Sequence, residues 1–156
     1  MSLKPLIIGI GNRYRGDDAL GRAVALELRA VVGEWAEVIE HDGEPASLLE
    51  SWEGRSRVIL IDAVRSGSPS GAIHHIDLRA GALPPEFGAC STHAFGVAEA
   101  VELGRALGKL PPEIDFFGVE AESFDAGATL TIAVGKGLKE LCETILELLR
   151  KEREHA

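Results

Sequence analysis

The sequence predicts an α/β fold, a three-layer α/β/α sandwich with helices on both faces of a mostly parallel, twisted sheet of about five strands. The first observation is a hydrophobic period that switches repeatedly between the strand and helix patterns along the chain. The second is the continuous apolar run 58–61, which is typical of a central strand buried on both faces. The third is the length of 156 residues, which is enough for such a core but too short for a second domain of usual size. Residues 1–156 are therefore expected to form a single domain.

The first half of the chain predicts three strands and two helices. The apolar run 6–10 is the first strand, and a glycine-rich turn follows it. Leu20, Val24 and Leu28 recur at helical spacing, which predicts a helix of about 14 residues that Asp17 or Asp18 could cap. A strand at 37–41 and a short helix at 47–52 come next. The apolar run 58–61 is then predicted to end on Asp62.

The second half predicts an edge strand, a long loop and two further helices. Residues 72–78 alternate in the manner of an edge strand, whose His74 and His75 are expected to be exposed and to point to opposite faces. A loop at 79–90 precedes a helix that begins near Ser91 and Thr92, with His93 at its amino end. A strand at 114–119 and an acidic loop at 120–127 lead to the last helix, whose residues 152–156 are expected to fray.

Charge and composition narrow the classes of partner. The chain has 16 basic and 25 acidic side chains and a formal net charge of −9, which should repel nucleic acid and anionic lipid. We therefore expect neither nucleic acid nor a membrane as partner. Residues 1–5 precede no apolar stretch of signal-peptide length, and Cys90 and Cys142 fit no disulfide framework. These features predict a cytoplasmic protein.

The glycine-rich turn resembles half of a dinucleotide-binding fingerprint. Gly9 and Gly11 follow a strand and precede a helix, but Tyr14 stands where a third glycine would let helix and strand pack closely. Asp17 and Asp18 would also repel a pyrophosphate at the helix terminus. A nucleotide-binding hydrolase of metabolites is therefore a minor alternative that rests on this turn alone.

Three short segments are predicted to meet at the carboxyl edge of the sheet. The pair Asp17-Asp18, then Asp62, and then His93 each leave a strand or enter a helix there, where open α/β proteins build their ligand sites. Two carboxylates and one imidazole suit a borderline divalent ion such as nickel or zinc, and three ligands leave a position open for substrate or water. Alternatively, Asp18 stabilises the helix dipole and His93 packs at its helix end, whereas a buried Asp62 requires a partner.

These motifs together resemble the hydrogenase maturation proteases, the nickel-dependent endopeptidases that trim the carboxyl terminus of the large subunit of nickel-iron hydrogenases. The resemblance rests on five segments in this order: Gly9-Ile10-Gly11-Asn12, Asp17-Asp18-Ala19-Leu20-Gly21, Asp62-Ala63-Val64, Ser91-Thr92-His93-Ala94-Phe95-Gly96-Val97 and Gly118-Val119-Glu120. It implies a phosphorylase/hydrolase-like form of the fold, with Asp18, Asp62 and His93 as metal ligands and catalytic residues. The segment 42–45 departs from the family pattern of a second glycine and a threonine, which bears on the substrate subgroup.

The resemblance also implies the substrate and the metal. The expected substrate is the precursor of a nickel-iron hydrogenase large subunit, and the expected metal is nickel that the precursor itself supplies. Asn12, Asp42 and Gly43 are expected to contact the substrate, since their segments end strands at the same edge. Either the metal polarises the scissile carbonyl or activates water, or one carboxylate acts as general base. A maturation chaperone that binds nickel and precursor without cutting remains an alternative, as does a thiol mechanism with Cys90 and His93, for which the sequence shows no orienting group.

Overall fold

The computed structural model describes residues 4–11, 16–88, 92–122 and 130–155, and over these ranges the strands form one five-stranded sheet. Its strands lie in the order β2-β1-β3-β5-β4, and β4 is an edge strand antiparallel to β5 while the other pairs are parallel. The strands are β1 (Leu6–Ile10), β2 (Glu37–His41), β3 (Arg57–Val64), β4 (Ile73–Asp77) and β5 (Glu113–Glu120). The predicted α/β fold with a mostly parallel sheet is confirmed.

Helices cover both faces of this sheet. Two long helices pack on one face, and three helices lie on the other, of which one is a single turn. The first pair is α1 (Leu20–Val32) and α5 (Ile132–Glu154); the second group is α2 (Pro45–Ser51), α3 (Pro85–Gly88) and α4 (Thr92–Ala106). No helix in the described ranges is both long and apolar enough to cross a lipid bilayer.

Alternation along the strands divides the core into two clusters. In β3, Ile59 and Ile61 pack under α1 and α5, whereas Leu60 and Val64 pack toward α2 and α4. Because successive side chains of a strand point to opposite faces, each strand supplies both clusters, and all eight residues of β3 are buried. This double burial explains the continuous apolar run from which a central strand was predicted.

Several element boundaries differ from the prediction, and α3 lies within the predicted loop 79–90. The strand β3 does not end on Asp62 but continues to Val64, because its pairing with β5 extends as far as Glu120. The helix α5 does not fray at Glu152 but continues to Glu154. The buried guanidinium of Arg57 donates to the Glu152 carboxylate at 2.9 and 3.1 Å and to Asp115 at 2.5 Å, which ties the last turns of α5 to the start of β3.

The start of α1 also differs from the prediction. A 3₁₀ turn, Gly16–Ala19, follows the glycine-rich segment, and Ala19 occupies the N-cap position of α1 without a side-chain cap. The predicted aspartate cap is therefore wrong, because Asp17 and Asp18 belong to the 3₁₀ turn rather than to the N-cap position. Packing of the apolar stripe against the sheet stabilises this helix instead.

Candidate active site

Asp62 lies at the carboxyl edge of the sheet on its central strand. It pairs in register with Gly118 of β5, and its side chain is fully buried on the same face as Leu60, under α2 and α4. The carboxylate Oδ1 accepts a hydrogen bond from the backbone N–H of Ala63 at 2.8 Å. A carboxylate is therefore held inside the protein at the edge where parallel α/β folds bind ligands.

A backbone contact between Gly9 and Gly21 places the start of α1 at this edge. A Cβ added at Gly21 would stand 2.2 Å from the carbonyl oxygen of Ile10 and 2.7 Å from that of Ile61. A Cβ added at Gly9 would stand 2.1 Å from the carbonyl oxygen of Gly21. Only glycine permits an approach this close. The 3₁₀ turn that contains Asp18 ends two residues before Gly21, so it leads directly to the end of β1 and the second half of β3.

A second backbone contact places the start of α4 at the same edge. A Cβ added at Gly96 would stand 2.1 Å from the carbonyl oxygen of Gly43, in the segment that follows β2. His93 precedes Gly96 by three residues and belongs to the first turn of α4. Two helix starts, one with Asp18 and one with His93, thus approach the edge where Asp62 is buried.

The predicted ligand set is described only in part. The structure describes the side chain of Asp62, whereas the side chains of Asp18 and His93 and the whole of Asn12 lie outside the described residues. Cys90 also lies outside them. Among the described residues, no group of three histidine, cysteine, aspartate or glutamate side chains is placed to hold a metal ion. The meeting of Asp18, Asp62 and His93 around one ion therefore stays a prediction.

The predicted substrate-contacting residues Asp42 and Gly43 form a tight, partly exposed segment. The Asp42 side chain is largely exposed, and its Oδ1 accepts the backbone N–H of Glu44 at 3.0 Å, which lowers the pKa of the carboxyl. Gly43 adopts a φ of +88°, which favours glycine. Glu44 then caps α2 by accepting hydrogen bonds from the backbone N–H groups of Ala46 and Ser47. The segment 42–45, which departs from the family pattern, therefore forms the start of this helix.

His41 ends β2 on the same face of the sheet as Asp62 and is held at both ring nitrogens. Its Nδ1 accepts the backbone N–H of Gly43 at 2.9 Å, and its Nε2 lies 3.0 Å from the hydroxyl of Ser47. Because Nδ1 is an acceptor, the ring is the neutral tautomer that donates from Nε2 to Ser47. Burial lowers the pKa of His41, which favours this neutral form.

Glu120 and His74 form a polar cluster that the sequence did not predict. Glu120 lies within β5 rather than in a loop, and its buried carboxylate accepts the Ser66 N–H at 2.7 Å and the Ser66 hydroxyl at 2.6 Å. His74 is half-buried rather than exposed, with Nε2 at 3.0 Å from Glu120 and its ring against Phe87 of α3. His74 and the apolar Ile76 lie two residues apart in β4 and therefore share one face of the strand. Because Ile76 packs against the core, this spacing was the available signal for an inward-facing histidine.

The Glu120 cluster predicts a pH-dependent contribution to stability. Burial raises the pKa of Glu120, but hydrogen bonds from Ser66, His74 and Gly67 outweigh it and leave the pKa below the ordinary value of 4.5. Because the pKa of Glu120 is lower in the folded than in the unfolded protein, its carboxylate stabilises the folded state at pH values above the unfolded-state pKa. This stabilisation is lost as the pH falls below about 4.5. We expect Glu120→Gln to lower the free energy of unfolding by about 1–2 kcal/mol at pH 7 and progressively less in acid. Urea unfolding at pH 7 and near pH 4 measures it, and an equal loss at both values would contradict it.

The fold defines a class of protein, the open α/β proteins, whose ligand sites are generally built at the carboxyl ends of the parallel strands, and two helix starts of this chain approach that edge. Residues 24–148 match the family described as hydrogenase maturation protease, and the chain belongs to this family.

Individual proteins are similar to this chain over nearly its whole length. The hydrogenase 2 maturation protease of Escherichia coli strain K12 is 28% identical over 152 residues, which cover 96% of this chain and 92% of that protein. Among solved structures, the hydrogenase maturating endopeptidase HybD from E. coli superposes with a TM-score of 0.80 at 23% identity, covering 96% of this chain and 94% of that one. The maturation protease HycI from Thermococcus kodakarensis gives 0.74 at 25% identity, covering 94% and 92%.

Proposed function

We propose that this protein is a nickel-dependent endopeptidase that removes the carboxyl-terminal extension of a nickel-iron hydrogenase large-subunit precursor. The family membership supports the endopeptidase class. The observation on which the site rests is Asp62, a fully buried carboxylate at the carboxyl edge of the central strand. A buried carboxylate is costly unless a partner stabilises its charge, and a cation brought by the substrate would supply a further partner when the precursor docks.

Nickel enters this proposal as part of the substrate. Asp18, Asp62 and His93 would bind a nickel ion already present in the precursor, so the ion would orient the adjoining tail relative to the enzyme. Three protein ligands leave coordination positions for precursor groups or water. The segment at Asp42 and Gly43, together with Asn12, would contact the tail, since Gly43 lies against the start of α4.

The bond cleavage itself needs an activated water and a polarised carbonyl. A carboxylate that accepts a proton from water acts as general base. When bound, the substrate's nickel supplies either Lewis-acid polarisation or water activation. The backbone N–H groups of Ser66 and Gly67, which follow β3 at this edge, donate to the Glu120 carboxylate and so fix the segment after β3.

A precursor assay tests this proposal directly. Purified precursor is incubated with the protein, with and without nickel loading, and the products are analysed by native electrophoresis and intact mass spectrometry. We expect a shortened large subunit and a released carboxyl-terminal peptide only from the nickel-loaded precursor. A stable complex with full-length precursor would instead indicate the non-cleaving chaperone, and cleavage that is equal without nickel would contradict the metal dependence.

A further inference from the structure

His41 is a buried histidine at the end of β2, close to the proposed site. Its side chain is only 10% exposed, and both ring nitrogens are engaged within its own segment, by Gly43 and Ser47. It is not one of the predicted metal ligands. An apolar ring could fill the same volume, but it would leave the Gly43 N–H without this acceptor.

Gly43 connects His41 to the helix that contains His93. The ring fixes the Gly43 N–H at 2.9 Å, and the carbonyl oxygen of the same residue lies against Gly96 of α4 with no room for a Cβ. Gly43 has a φ of +88° and no side chain to restrict its backbone, so the hydrogen bond from its N–H and the contact of its carbonyl group are restraints on its position. A shift of Gly43 therefore moves the surface on which the first turn of α4 rests.

We propose that His41 is a positioning residue for His93, acting through the backbone of Gly43 and the contact of Gly43 with Gly96. The proposal rests on the proposed function, because His93 matters to it as a ligand of the substrate's nickel. Displacement of a reacting group by about 1 Å costs up to about a hundredfold in rate. An indirect effect of His41 on the position of His93 should therefore be measurable as a change in turnover.

Three variants separate the acceptor role from simple space filling. His41→Asn keeps an acceptor oxygen close to the position of Nδ1, and His41→Phe keeps the ring volume but offers no acceptor. Ser47→Ala removes only the partner of Nε2 and is the matched control. If His41→Phe fails to fold, His41→Gln is used in its place. The glutamine side chain is longer and reaches toward Ser47, so it too leaves the Gly43 N–H without the acceptor.

Cleavage kinetics and amide hydrogen exchange are measured on each variant of the full chain. We expect His41→Phe to lower kcat on nickel-loaded precursor by roughly tenfold or more with little change in KM, and His41→Asn and Ser47→Ala to stay within about threefold of the parent protein. Hydrogen exchange should accelerate at residues 43–47 and 92–98 together in His41→Phe, while β1 and β3 keep their protection.

The outcomes distinguish this inference from the proposed function. Parental turnover of His41→Phe, alongside an inactive Asp62→Asn, would overturn the positioning role and leave the endopeptidase proposal intact. Equal loss in His41→Asn and His41→Phe would overturn it too, since the acceptor would then be irrelevant. If the parent protein cleaves no precursor, exchange that accelerates at 43–47 without 92–98 overturns the coupling, and joint acceleration supports it.

Discussion

Asp62→Asn is expected to abolish precursor cleavage, with a loss of about 10²–10⁴-fold in rate, the range typical of a removed acid–base or charged catalytic group. The substitution is nearly isosteric, and the amide oxygen can still accept the Ala63 N–H that Oδ1 accepts now. What disappears is the buried negative charge on which the proposed ion binding depends. Single-turnover cleavage of nickel-loaded precursor measures the loss, and circular dichroism should show an unchanged fold.

A matched control isolates position from charge. Glu113→Gln also removes one carboxylate, but at the amino end of β5, where the side chain is 70% exposed. Its cleavage rate should equal that of the parent protein. Asp18→Asn and His93→Ala are expected to be as inactive as Asp62→Asn, because in the proposed function all three residues coordinate the same nickel ion. Parental cleavage rates in all three variants would remove the proposed site.

Gly21→Ala is expected to destabilise the protein by about 3 kcal/mol, which is at the upper end for overpacking of a core. The new methyl group would meet two main-chain oxygens, those of Ile10 and Ile61, and neither can turn away as a flexible side chain could. Relief requires α1 to move off the sheet, which also displaces the 3₁₀ turn that contains Asp18. Thermal unfolding should show a fall of roughly 6–12 °C.

Gly135→Ala is the control for this steric argument. Gly135 lies inside α5, and a Cβ there would meet nothing within 4 Å. Alanine should therefore stabilise the protein by about 0.5–1 kcal/mol, because glycine loses more backbone freedom in a helix. If Gly21→Ala and Gly135→Ala changed the melting temperature alike, the close approach of α1 to β1 would not be the cause.

The fold was predictable because hydrophobic periodicity reports burial one element at a time. The run 58–61 identified the central strand, and the spacing from Leu20 to Leu28 identified α1. The strand's true end was missed since the polar Asp62 interrupts the apolar run, although pairing with β5 continues past it. Glycine usage was also only partly predictable. Tyr14 stood at the expected third position, whereas the close packing of helix on strand is made by Gly21.

The polar contacts were less predictable because their partners are distant in sequence. Glu120 is bound by Ser66 and His74, which lie 54 and 46 residues earlier. Arg57 and Glu152 are separated by 95 residues, so local propensity at the end of α5 could not reveal the ion pair that extends it. Asp62 alone of the predicted ligands is described at side-chain level, and its burial at the carboxyl edge agrees with the sequence argument.

Two backbone contacts, Gly9 with Gly21 and Gly43 with Gly96, fix the positions of the starts of α1 and α4. Exchanging one aliphatic residue for another elsewhere in the interior should leave both contacts unchanged, since their shortest approaches are to main-chain atoms. Substitutions in the rest of the interior can therefore accumulate without changing either contact. Under the proposed function, adapting the site to a cation of different radius would therefore require a change of the backbone at Gly21 or Gly43 rather than a change of core side chains.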